Sequence, residues 1–180
     1  MLATRGGEQL TLPALDAHGL LPISPSARHH TSAVEIESLF VAGAPSHKAL
    51  RRDLWDAYSL WERRVRQHFG HGEAWLSGTF VTHMPRQPEL RVVFFPATPS
   101  MVGNAVRRGD VGLGLLTLGD VFYMSPQSGG SVETMHAVGG MMDSQVGSPA
   151  QKDGWDAMWS LVAEPRSHTQ FAAGYVSLTV

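Results

Sequence analysis

Cysteine is absent from the chain, and with it every disulfide framework, thiolate metal site and thiol nucleophile. That fits a cytosolic setting. Basic charge is also in short supply: 14 Lys and Arg stand against 16 Asp and Glu, for a formal net charge of -2 and a pI near 6.5. Such a balance provides no broad basic surface for non-specific nucleic-acid affinity, so it favours a small-molecule or protein partner over nucleic acid. No apolar run is long enough to cross a bilayer, and Met1 to Leu20 has no basic stretch followed by an apolar block. The expectation is a cytoplasmic protein with no membrane partner. What is present suffices for a core, since 180 residues at 43% hydrophobic and 17% charged suit one globular domain.

Gly6, Gly7, Pro13, Gly19, Pro22 and Pro25 punctuate the first thirty residues without periodicity. They predict an extended arm over 1–30 with little regular structure, lying on or beside a domain that spans 31–180. Ser32 and Glu35 have the spacing of a capping box and open a helix over about 32–42. After the Gly43-Ala44-Pro45 break, Ser46 is placed to cap a longer helix. Its apolar stripe is Leu50, Leu54, Ala57, Tyr58, Trp61, Val65 and Phe69. Lys48, Arg51, Arg52, Arg63 and Arg64 read as the opposite face, and the interleaved Asp53, Asp56 and Glu62 make it a solvated face in preference to a nucleic-acid surface.

Gly70 and Gly72 close that helix, and Ala74-Trp75-Leu76 reads as a short buried strand entering a tight turn at Ser77-Gly78-Thr79. Leu90 to Phe95, closed by Pro96, reads as a largely buried strand with Arg91 its odd member. Thr98-Pro99 opens a further helix ending near Gly109, while Leu115 to Met124 does not settle between strand and loop. Val132 to Val138 and Gly139 to Asp143 suggest a strand carrying a carboxylate after a glycine pair. Trp155, Met158, Trp159, Leu161 and Val162 make a last helical stripe, and Tyr175 to Val180 alternates like a closing strand. Helices around short strands give a mixed α/β domain of the α+β type, with a small mixed central sheet flanked by helices. Most of the tryptophans sit at helical spacings and read as core; any left exposed points to a protein interface.

The segment Trp75-Leu76-Ser77-Gly78-Thr79-Phe80-Val81-Thr82, followed by Pro88-Glu89-Leu90-Arg91-Val92-Val93-Phe94-Phe95-Pro96, resembles the signature of the DNA polymerase β superfamily of nucleotidyltransferases. There a Gly-Ser or Gly-Gly turn precedes two acidic residues alternating along a strand. The chain is most similar to the minimal nucleotidyltransferase-like proteins of actinobacteria and their phages. Further stretches carry that likeness: His30 to Glu35 through Phe40-Val41, the helix bearing Arg51, Gly139 to Asp143, Trp155-Asp156 through Trp159-Ser160, and Gly174-Tyr175 through Thr179. The resemblance implies a nucleotidyltransferase-like fold in which carboxylates hold two divalent ions, Mg2+ by preference, against a nucleoside triphosphate. It also implies that the turn glycine lets backbone approach the phosphates, with the adjacent hydroxyl donating to them.

By that resemblance Gly78 and Thr79 form the nucleotide-binding turn, Glu89 stands at the first metal-binding aspartate and Asp143 at the third. Arg91 stands at the second, bringing permanent positive charge where cations are expected. Three readings follow for Glu89, Arg91 and Asp143: a salt-bridge cluster in an inactive site, a nucleotide pocket without chemistry in which Arg91 contacts phosphate, or a transferase. The transferase would keep one metal on Glu89 and Asp143, or use a shifted acid such as Asp110 or Asp120. The contrasting expectation is a non-catalytic phage or prophage structural protein, cytoplasmic or in the virion, that uses the fold as a scaffold for protein partners or self-assembly. Ser77 lacks the glycine pattern of a nucleophile elbow and reads as a turn residue. The nine histidines show no pair-plus-acid spacing of a zinc enzyme.

Overall fold

The computed structural model of the chain describes residues 11–23, 26–98, 122–124, 132–134, 142–147, 149–163 and 170–180. Its strands are β1 (Arg28–His30), β2 (Gly72–Ser77), β3 (Leu90–Pro96), β4 (Phe122–Met124), β5 (Val132–Thr134), β6 (Met142–Val146), β7 (Leu161–Ala163), β8 (Gln170–Ala172) and β9 (Tyr175–Thr179). Its α-helices are α1 (Ala33–Ile36), α2 (Lys48–Phe69) and α3 (Lys152–Trp159). Among the described residues one mixed sheet runs in the order β1-β9-β2-β3-β6-β5-β4, and β7 pairs with β8 in a separate hairpin. The α+β arrangement expected from the sequence is therefore present.

Strand alternation divides the core. Ala74, Leu76, Leu90, Val92 and Phe94 join Leu54, Tyr58, Trp61, Val65 and Phe69 of α2 in one apolar cluster. Trp75, Val93, Phe95 and Tyr175 face the other way and pack with Trp159 of α3 in a second. Helices thus cover both faces of β2 and β3, which is why β3 is buried along its length except at Arg91. Burial of each large apolar side chain contributes about 1.5–3 kcal/mol. The closing strand is buried at Tyr175, Val176, Ser177 and Leu178 and does not alternate between core and solvent, because it lies between β1 and β2 inside the sheet.

Several sequence expectations need correction. The helix over 32–42 is α-helical only through Ile36 and π-helical from Glu37 to Ala42, ending where the amide of Gly43 donates to the carbonyl of Ser38 at 2.9 Å. Ser46 does not cap α2: the cap is His47 in the left-handed conformation (φ 56), and the Ser46 hydroxyl is buried without a partner. Leu161 and Val162 leave the helical stripe and form β7. Arg28–His30, placed by the sequence in the arm, is a strand pairing in parallel with β9, and Leu20 and Leu21 reach the core. Beyond Thr98 the expected helix to Gly109 lies outside the described residues, as do the glycine pair Gly139-Gly140, Asp110, Asp120 and most of Leu115 to Met124.

Candidate functional site

β2 ends at Ser77 and the chain turns at Gly78, whose φ of 90 and ψ of -178 are open only to glycine at little cost. A Cβ there would stand 2.3 Å from the carbonyl oxygen of Glu89. The turn continues as a short 3-10 segment, Thr79–Val81, tied back to the start of β3. The amide of Phe80 donates to the Glu89 carbonyl at 3.0 Å, and the Thr79 hydroxyl accepts from the Glu89 amide at 2.8 Å while donating to the Gln87 carbonyl at 2.9 Å. The threonine hydroxyl expected to face phosphate thus bridges the ends of its own loop.

Glu89 and Arg91 are two residues apart, the strand repeat that sets both on one face. The Arg91 guanidinium donates to Glu89 Oε1 through Nη2 at 2.9 Å and Nε at 3.2 Å, with both side chains about half exposed. β3 runs parallel to β6 in a register that sets Arg91 opposite Asp143; Asp143 is placed by that register alone. Because β2 is antiparallel to β3 and β3 parallel to β6, the end of β2 and the starts of β3 and β6 coincide. Gly78, Thr79, Glu89, Arg91 and Asp143 therefore meet at one end of the sheet. Glu89 already accepts from a guanidinium, and no three His, Asp or Glu side chains among the described residues gather as a cage.

Two polar residues support this end of the molecule in ways the sequence reading missed. Arg51, assigned there to the solvated face of α2, is fully buried. Its Nη1 donates to the carbonyls of Phe40 at 3.1 Å and Phe80 at 2.6 Å, and its Nη2 to those of Thr79 at 3.3 Å and Thr82 at 2.8 Å. No carboxylate among the described residues pairs with it. Burial lowers its pKa, yet an arginine remains charged. A signal was available: Arg51 precedes Leu54, Trp55 and Tyr58 by three, four and seven positions, so it continues the buried stripe.

Glu35 is the second. Ser32 accepts from the Glu35 amide at 3.2 Å, half of the expected capping box, but the Glu35 carboxylate turns away from Ser32. It accepts from the hydroxyls of Thr31 at 2.6 Å and Thr11 at 2.5 Å, and from the backbone amides of Thr11 and Leu12. Burial pushes its pKa up, and these hydrogen bonds outweigh it, leaving the carboxyl below its usual value. The arm is thereby fastened to α1. It also reaches the candidate site's loop, since the His83 amide donates to the Gly19 carbonyl at 2.8 Å.

A groove of about 560 Å³ opens between the arm and this loop, lined by Leu15, Asp16, His18, His83, Met84 and Pro85, and Glu89 and Arg91 do not line it. On the α3 side of the sheet, Lys152 pairs with Glu73 at 2.5 Å, Arg28 stacks over Trp75 at 4.5 Å, and the Tyr175 hydroxyl donates to Asp156. Two histidines bond to backbone carbonyls, His29 to that of Pro22 at 2.7 Å and His83 to that of Leu39 at 2.9 Å. No helix among the described residues is long and apolar enough to cross a membrane.

No curated protein and no solved structure matches the chain. A family model does, over residues 13–179, from the arm through the closing strand, so it takes in every residue of the Gly78–Arg91 site. The chain belongs to the family described as Family of unknown function (DUF6932).

Proposed function

We propose that this chain is a nucleotidyltransferase-like protein in which metal-dependent transfer is weakened or lost and the contact with a triphosphate is made by protein cations. The observation that carries this reading is the Arg91–Glu89 pair at 2.9 Å, set opposite Asp143 and beside the Gly78 turn. A guanidinium at this position neutralises the carboxylate that would otherwise hold a divalent ion. It also presents a planar fork of donors, half exposed, to an incoming phosphate. A nucleoside triphosphate is the ligand class, and Mg2+ is not required for its binding.

Isothermal titration with ATP, GTP, CTP and UTP, with and without magnesium or manganese, tests the reading. Binding that is indifferent to the metal and weakened by Arg91→Ala supports it. Magnesium-dependent binding abolished by Glu89→Ala would instead indicate a working transferase on Glu89 and Asp143. Absence of binding to all four nucleotides would leave the fold as a scaffold for protein partners. Arg91→Asp restores a second carboxylate on the strand and is expected to make nucleotide binding metal-dependent.

A further inference from the structure

We propose that Arg51 is the positioning residue of the candidate site: it fixes the backbone from Thr79 to Thr82 in a preformed shape that receives an oligophosphate beside the Gly78 turn. This rests on the reading of residues 78–91 as a phosphate-contacting site. Three of the four carbonyls that Arg51 holds belong to Thr79, Phe80 and Thr82, the residues directly after Gly78. The same two residues nearest the turn bind Glu89. Phe80 does so through its amide at 3.0 Å and Thr79 through its hydroxyl at 2.8 Å. Glu89 in turn holds Arg91 at 2.9 Å. The contacts form one continuous chain from a buried guanidinium to the exposed one.

A buried cation with no acidic partner among the described residues is a costly way to fill space, and an apolar side chain would pack α2 at least as well. What a guanidinium adds is geometry, because a planar fork satisfies four carbonyls in a fixed arrangement that no apolar residue can impose. It sets where the Gly78 turn and the Arg91 guanidinium stand relative to each other, the backbone and the side chain an oligophosphate would meet. Arg51 itself is fully buried and acts only through the loop.

The test uses inorganic tripolyphosphate, which carries the anion without a base, titrated into the full chain and its variants without metal. Arg51→Met is expected to weaken binding by about tenfold or more, the scale on which a misplaced binding group acts. Arg51→Lys should recover part of that loss, since an ammonium serves one or two of the four carbonyls. Leu54→Ala, in the same helix, should lower the melting temperature with affinity unchanged, separating positioning from general stability. A folded Arg51→Met that binds as tightly as the parent overturns the proposal, while a parent that binds no tripolyphosphate overturns the phosphate-site reading on which it rests. Should Arg51→Met not fold, hydrogen exchange in the parent decides. The amides of Phe80, Val81 and His83 should exchange slowly without ligand and change little with it; rapid exchange that slows only on adding tripolyphosphate shows a loop that Arg51 does not preform.

Discussion

Gly78 and Glu89 approach so closely that the first carbon of any side chain at 78 would stand 2.3 Å from the Glu89 carbonyl oxygen. The turn and the start of β3 are thus built on one contact, and the glycine is required twice, by its positive φ and by this lack of space.

Gly78→Ala is therefore expected to destabilise the protein by about 3 kcal/mol, combining backbone strain with displacement of β3. Urea unfolding followed by tryptophan fluorescence measures it; a loss within about 0.5 kcal/mol, the range of ordinary surface substitutions, would show that the turn is not constrained as described.

Neutralising the latch of the arm should also cost stability. Glu35→Gln loses charge-assisted bonds to Thr11, Leu12 and Thr31 and is expected to destabilise by about 2 kcal/mol. The folded-state pKa of Glu35 is lowered, so its contribution is present above the ordinary carboxyl value of 4.5 and fades as pH falls below it. Acid unfolding curves of parent and Glu35→Gln should converge at low pH. Curves that stay parallel contradict the assignment.

The Glu89–Arg91 pair behaves differently because it is exposed, with side-chain accessibilities of 52% and 51%. Glu89→Ala and Arg91→Ala should each change stability by less than about 1 kcal/mol. Any large change in nucleotide binding by these variants then reflects the site and not the fold, which denaturation midpoints measured alongside the titrations will check.

High pH should weaken the packing of α3. Burial first, and then the bond to Asp156, raise the Tyr175 phenol well above its usual value of 10, and burial raises that of Tyr58 likewise. A raised pKa contributes stability that is intact below pH 10 and lost as pH climbs toward the folded-state value. Thermal melts from pH 8 to 11 should show a decline above about pH 10 that is shallower in Tyr175→Phe. Equal declines in both proteins would remove Tyr175 from the account.

The elements legible in advance were those with strong local signals. The stripe from Leu50 to Phe69 made α2, Gly70 with φ 74 ended it, and the run from Leu90 to Phe95 made β3, which extends through Pro96. The tight turn at Gly78 followed from its glycine and its neighbours. Short strands failed where context decided them: Arg28–His30 pairs only because β9 offers a free edge, and Leu161–Ala163 because β8 returns beside it. Arg51 was misread since charge outweighed position in the reading of its helix, although its spacing already put it on the buried stripe.

For the candidate site, the sequence by itself determined the identities: a glycine and a threonine at the turn, and an acid and a base two positions apart on a strand. Spacing along one strand fixes a shared face, because side-chain direction alternates with every residue. Only the tertiary structure decided that Arg91 turns back onto Glu89, that β6 sets Asp143 opposite it, and that the Thr79 hydroxyl is held by Gln87 and Glu89. Those relations depend on strand pairing between segments far apart in the chain and on the competition among hydrogen-bond partners that packing brings within reach, neither of which a local pattern encodes.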